Sequence, residues 1–174
     1  AEQQGCGRDL GERLRIALVY DAVYPYVKGG AERMVAELAA KLSARHEVHV
    51  FGMRAWKGPA QFETQDGYTV HAVCPTLPIY RNGRRSIIEA LWFALWTPFS
   101  IWRAGRFDVV NCMSIPLLPI FPLRLLCRFT SARLVVTWLE FWRWFWDQYM
   151  GRSGALARRI EGLAVRWSPN IIAI

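Results

Sequence analysis

The chain has 174 residues, 53% hydrophobic and 21% charged, with a net charge of +8. That length holds one domain of ordinary size with a sizeable core, and the apolar share excludes a disordered, solvating chain. Four cysteines, Cys6, Cys74, Cys112 and Cys127, lack metal-type spacing; they exclude a zinc module and a disulfide framework, and predict a reducing, cytoplasmic setting.

The polar start AEQQGCGRDLGER predicts a disordered tail over 1–13 and a single domain over 14–174, with no secretory signal. A strand is predicted over 14–20, then a loop holding Lys28, Gly29 and Gly30, then an amphipathic helix over 30–45. Met34, Val35, Leu38, Ala39 and Leu42 form its apolar stripe, and Glu37 and Lys41 are spaced for an i,i+4 pair on the outer side. The first turn of a helix carries unpaired N–H groups and partial positive charge, and two glycines let a ligand come close. Lys28, Gly29, Gly30 and the N–H groups of Ala31 and Glu32 therefore predict a site for a phosphate or another anion. Glu32 either meets the ligand or only complements the helix dipole. Asp21 and Tyr24 follow the strand and are placed to face the same cleft, the alternative for Asp21 being a loop cap. Neither GxGxxG nor a phosphate loop ending in Gly-Lys-Ser/Thr is present, which disfavours an NAD enzyme and a nucleotide triphosphatase.

Further strands are predicted over 47–52, 68–74, 108–112, 134–138 and 171–174. Helices are predicted over 85–104, over a Pro-interrupted 116–129, and over 154–167, with loops at 57–67 and 81–85. The last helix is expected to bury Leu156, Ile160, Leu163, Ala164 and Trp167. This alternation predicts an α/β fold, a Rossmann-like parallel sheet with helices on both faces. Ligands of such sheets bind at the carboxyl ends of strands, which the 21–30, 113–116 and 139–150 segments leave. His46, His49 and His71 are scattered, and no protein-bound metal is expected.

Charge divides the chain. Residues 1–80 hold nine Lys/Arg and nine Asp/Glu, whereas 81–174 hold thirteen Arg and five Asp/Glu, together with eight of the nine Trp. Arg with Trp suits nucleic acid, through phosphates and stacking, or a membrane interface, through anionic lipid and the headgroup layer. The long aliphatic content of 87–102 and 115–129 favours the membrane over nucleic acid. Neither run reaches the about 20 apolar residues a span needs. Arg81, Arg84 and Arg85, with Trp92 and Trp96 on the following helix, form the expected membrane contact; a solvated loop is the alternative for the arginines. FWRWFWDQY over 141–149 is either a buried aromatic cluster or an exposed acceptor platform given polar contacts by Arg143 and Asp147.

RIALVYDAVYPYVKGGAERMVAELAAKLSARHEVHVFG, with Gly29-Gly30-Ala31-Glu32 and His46-Glu47-Val48, resembles the N-terminus of family 4 glycosyltransferases of the two-domain B-type fold. A second match runs over 135–174, where the family often has a strand, His-Glu-aromatic, an aromatic loop and a helix carrying Ile-Glu. The resemblance implies the N-terminal, acceptor-side half of a B-type glycosyltransferase that moves a sugar from a nucleotide-sugar with retention. It also implies a separate C-terminal donor-binding domain, absent from these residues, without which the chain is expected to be inactive. The chain stops at IIAI, within an expected strand, so it is read as a fragment or one half of a split enzyme. Where the family often has His, this chain has Leu139; Glu140 remains as the catalytic candidate, with Trp138 and Arg143 as an acceptor platform. The acceptor is expected to be lipid-linked, no cofactor is expected in the chain, and peripheral attachment to the inner membrane face follows from the basic, Trp-rich half. Two alternatives stay open, a non-catalytic docking subunit that recruits a donor-binding chain, and an unrelated nucleotide-binding or nucleic-acid-binding domain.

Overall fold

A computed structural model describes residues 12–81 and 84–174. The predicted tail lies almost wholly outside them, as do the side chains of Arg81, Arg84 and Arg85. The strands are β1 (Arg15–Val19), β2 (Glu47–Arg54), β3 (Gln61–Glu63), β4 (Thr69–Pro75), β5 (Tyr80–Arg81), β6 (Arg84–Arg85), β7 (Val109–Met113), β8 (Arg133–Trp138) and β9 (Ile171–Ala173). The helices are α1 (Gly30–Ser43), α2 (Ile87–Ala104), α3 (Ile120–Thr130), α4 (Phe145–Met150) and α5 (Gly154–Trp167). Seven strands make one sheet in the order β3-β4-β2-β1-β7-β8-β9, parallel except for antiparallel β3 at one edge. β1 pairs with β2 on one side and β7 on the other, so the order reverses beside it.

Alternation along β1 divides the core. Ile16 and Leu18 pack with Val35 and Ala39 of α1, whereas Ala17 and Val19 pack with Phe93 and Ile101 of α2 and Leu123 and Cys127 of α3. The strands are apolar nearly throughout because both faces are covered. Two stretches expected as loops hold short strands: β3 lies within 57–67, and β5 and β6 pair across 80–85, overlapping the loop expected at 81–85. Elements this short leave little periodicity to read.

Two side-chain expectations are corrected. Glu37 pairs with Arg33 (2.7 Å) rather than Lys41. α5 buries Gly154, Ala157, Glu161 and Ala164, leaving Leu156 and Leu163 exposed. The rotation follows close packing: a Cβ on Gly154 would lie 2.6 Å from the Trp146 carbonyl oxygen of α4, so only small residues fit at this contact.

Gly52 permits a second close crossing, where the chain leaving β1 runs over β2. A Cβ there would overlap the Val23 side chain and sit 2.9 Å from the Tyr20 carbonyl oxygen. Gly52→Ala should therefore lower stability by about 2 kcal/mol and displace the 20–30 loop. Urea denaturation checks this; an unchanged midpoint would show that the loop yields freely.

At the amino end of the sheet His49 Nδ1 and His71 Nε2 lie 2.8 Å apart, His49 Nε2 lies 2.8 Å from Glu47, and Arg15 Nε donates to the same Glu47 oxygen at 2.7 Å. Burial, then the charges of His49 and Arg15, lower His71 to about 4; burial also lowers His49 against the opposing pull of Glu47. An unfolded histidine titrates near about 6.5, so below that pH the unfolded chain binds protons that the folded chain refuses. Stability is full above pH about 6.5 and falls as pH drops toward 4, with His71 contributing about 3 kcal/mol of the loss. His71→Phe, which can keep the stack on Phe51 (4.5 Å between ring centres), should shrink that slope. Wild-type stability that stays flat from neutral pH down through this window would sink the prediction.

Candidate functional site

The segments leaving β1, β7 and β8 gather at the carboxyl edge of the sheet, beside the point where the strand order reverses. Gly29 caps α1, and Lys28, Gly29 and Gly30 are exposed. Gly29 has φ −167°, an extended conformation open to any residue. A Cβ on Gly30 would meet nothing within 4 Å, while one on Gly29 would run into the Glu32 carboxylate. Glu32 thus folds back over the first turn, where it complements the dipole. A phosphate would have to displace this carboxylate, whereas a sugar hydroxyl could donate to it. Ala31 is half-buried against the α1-side core.

Asp21 is fully buried rather than open to the cleft, and its carbonyl accepts from Met53 N–H at 3.0 Å. Val19 pairs with Cys112, so two residues on, Asp21 and Ser114 leave adjacent strands side by side. Ser114 is fully buried, and its hydroxyl has no hydrogen-bond partner among the described residues. Tyr24 is partly exposed on the same loop, ahead of a cis Pro25.

Trp138 does not form an acceptor platform. It is 1% exposed, belongs to the core, and stacks on Phe141 with ring centres 4.5 Å apart. β8 is an interior strand covered on both faces, so its last side chain is packed. Leu139 packs against the α1-side core, and Glu140 beyond it is exposed. The 141–149 segment divides: Phe141, Trp144 and Phe145 are exposed, while Trp142 and Trp146 are half-buried with ring centres 4.7 Å apart.

Glu161 is the residue that sequence reasoning passed over. Its carboxylate, 5% exposed, accepts from the backbone N–H groups of Trp142 (2.8 Å) and Arg143 (2.9 Å). It thereby fixes Arg143 at φ +39°. The signal was an acid in register with Ala157 and Ala164. Arg143 then borders a groove of about 590 Å³ with Trp144, Arg158 and Arg166. Arg158 lies over the Trp144 ring and is paired with Asp147.

α2 exposes Ile88 (65%), Leu91, Leu95 (67%), Phe99 and Trp102 (63%) as one stripe at helical spacing, flanked by Trp96, with Trp92 half-buried beside it. No helix among the described residues is long and apolar enough to cross a membrane. The described residues contain no group of three or more metal-ligating side chains. Cys74 and Cys127 are buried thiols whose pKa values burial raises to about 12 and about 11.

The model of Glycosyltransferase Family 4 matches residues 28–174. The chain belongs to glycosyltransferase family 4. No curated protein matches it in a sequence search. Among solved structures it is similar to sucrose-phosphate synthase from Thermosynechococcus elongatus, with a TM-score of 0.65 and 15% identity over 91% of this chain and 42% of that one. It also aligns with Arabidopsis thaliana UGT89C1 complexed with UDP, at a TM-score of 0.49 and 10% identity, over 93% of this chain and 45% of that one. The family 4 chain has the Rossmann-like fold of B-type glycosyltransferases, shared with the sucrose-phosphate synthase, and it spans less than half the length of either neighbour.

Proposed function

We propose that these residues form the acceptor-binding half of a retaining glycosyltransferase that takes sugar from a nucleotide-sugar and delivers it to a lipid-linked or membrane-bound acceptor. The exposed aliphatic and aromatic stripe on α2, in the half of the chain that carries all the net charge, is the observation behind the membrane part. Trp at the headgroup layer and Arg near anionic lipid are both favourable. In the cleft, Glu32 and exposed Glu140 are acceptors for sugar hydroxyls, and Lys28 supplies positive charge. A donor-binding domain closes the other wall. Transfer needs groups held on both sides of the reacting atoms, so these residues alone are inactive. Coverage of 42% of the sucrose-phosphate synthase chain supports that division.

Co-sedimentation with neutral and anionic vesicles at low and high salt tests the reading. Binding should need anionic lipid and weaken only partly in high salt, because apolar burial persists when charge is screened. Absence of binding to either vesicle would withdraw the membrane part and leave a soluble acceptor.

Leu139 supports a second reading, a non-catalytic membrane-docking subunit. Its side chain is committed to packing and can neither donate to a sugar hydroxyl nor exchange a proton. A complete protein that binds vesicles yet turns over no sugar from a panel of nucleotide-sugars would favour this reading.

A further inference from the structure

A pocket of about 230 Å³ lies between the first turn of α2, the 115–118 connection and the α4–α5 pair. Ile87, Leu117, Leu118, Leu156 and Ile160, with the rings of Trp146 and Tyr149, give it largely apolar walls, and the buried Glu89 borders it on the α2 side. Packed interiors hold few voids larger than one water, and an apolar void offers water no partners. Its two ends lie at places already described. Ile87, one wall of the pocket, is 52% exposed and begins the apolar stripe of α2, with Leu91 one turn further on. At the other end Ile115 and Pro116 follow Ser114, which leaves β7 beside Asp21 at the floor of the cleft.

We infer that this pocket is a slot for one hydrocarbon chain of the acceptor lipid, entered from the α2 stripe and ending beside the cleft. The inference rests on the lipid-linked acceptor proposed above and assigns its tail a place. A chain leaving a bilayer along Leu91 and Ile87 reaches the slot without crossing water. Its headgroup then emerges beside Ser114, at the strand ends from which the Glu32 and Glu140 loops depart. Largely apolar walls suit a flexible alkyl chain.

The test is titration of the chain with monomeric alkyl phosphates, from hexyl to tetradecyl, followed by calorimetry. Affinity should rise about fourfold per methylene and level off once the slot is full. Ala90→Phe, which fills the slot from α2, and Leu156→Arg, at a side chain 61% exposed on its margin, should each remove most of the length dependence. Leu156→Arg keeps the test open should Ala90→Phe not fold. Leu95→Asp, outside the slot, should weaken vesicle binding and leave alkyl phosphate affinity unchanged. Affinity independent of chain length, or the same length dependence in a folded Ala90→Phe or Leu156→Arg protein, overturns the slot. Vesicle binding without chain-length dependence removes the slot and keeps membrane docking; the converse keeps the slot and removes docking. Loss of alkyl binding in the complete protein would assign the pocket to its second domain and overturn the inference.

Discussion

Replacing Leu91, Leu95 and Phe99 together with serine should lower affinity for anionic vesicles about a thousandfold while leaving the melting temperature nearly unchanged. Each of the three is roughly half or more exposed in the folded chain, so each has apolar area left to bury. Burial of such a side chain contributes about 1.5 kcal/mol or more, and the three together give the stated loss. Their exposure is also why the fold should be indifferent to them. Removing charge acts differently. Alanine at exposed Arg103, Arg106 or Arg128 should weaken binding by about 1 kcal/mol each and make the remainder less sensitive to salt. Co-sedimentation beside thermal melts separates the two effects. A serine variant that melts far lower would show that the stripe is packed rather than free, and unaltered vesicle binding would move the contact elsewhere.

Glu161→Ala should destabilise the chain by about 3 kcal/mol and release the segment that follows β8. Two buried N–H groups, on Trp142 and Arg143, lose their acceptor at once, and bonds to a charged acceptor are worth about 1.5–3 kcal/mol each. Arg143 then has nothing to hold it at φ +39°, a conformation that is costly for a non-glycine residue. Glu161→Gln should cost less, since its amide keeps one accepting oxygen while its NH2 faces a donor. Urea denaturation gives the first quantity, and amide exchange at Trp142 and Arg143 gives the second. Equal protection of these amides in Glu161→Ala would overturn the assignment.

The central strands were legible because parallel strands covered on both faces appear as unbroken apolar runs, and the order of motifs carried the family. The first helix was legible for the same reason, its stripe being strongly apolar. α5 was not read correctly in rotation. Gly154, Ala157 and Ala164 carry little hydrophobic signal, yet their small size decides which face approaches α4. Trp138 was read as a platform because an aromatic at a strand end next to more aromatics looks like a surface; its interior strand buries it. Glu161 and Ser114 depend on pairings across 18–19 residues and across two strands. Local pattern marks Glu161 only as an acid on the buried face of α5 and names neither residue's partners.

α2 runs opposite to the parallel strands. Its first turn borders the 115–118 connection at their carboxyl ends, and Gly105 just past its last turn lies against Arg15, where β1 begins. A helix of 18 residues is about 27 Å long. With that helix lying flat in the headgroup layer, the strands lie parallel to the bilayer and the cleft opens sideways along it. An acceptor would then arrive by lateral diffusion within the leaflet, without lifting its head into bulk water, and encounter frequency would follow its surface density rather than its volume concentration.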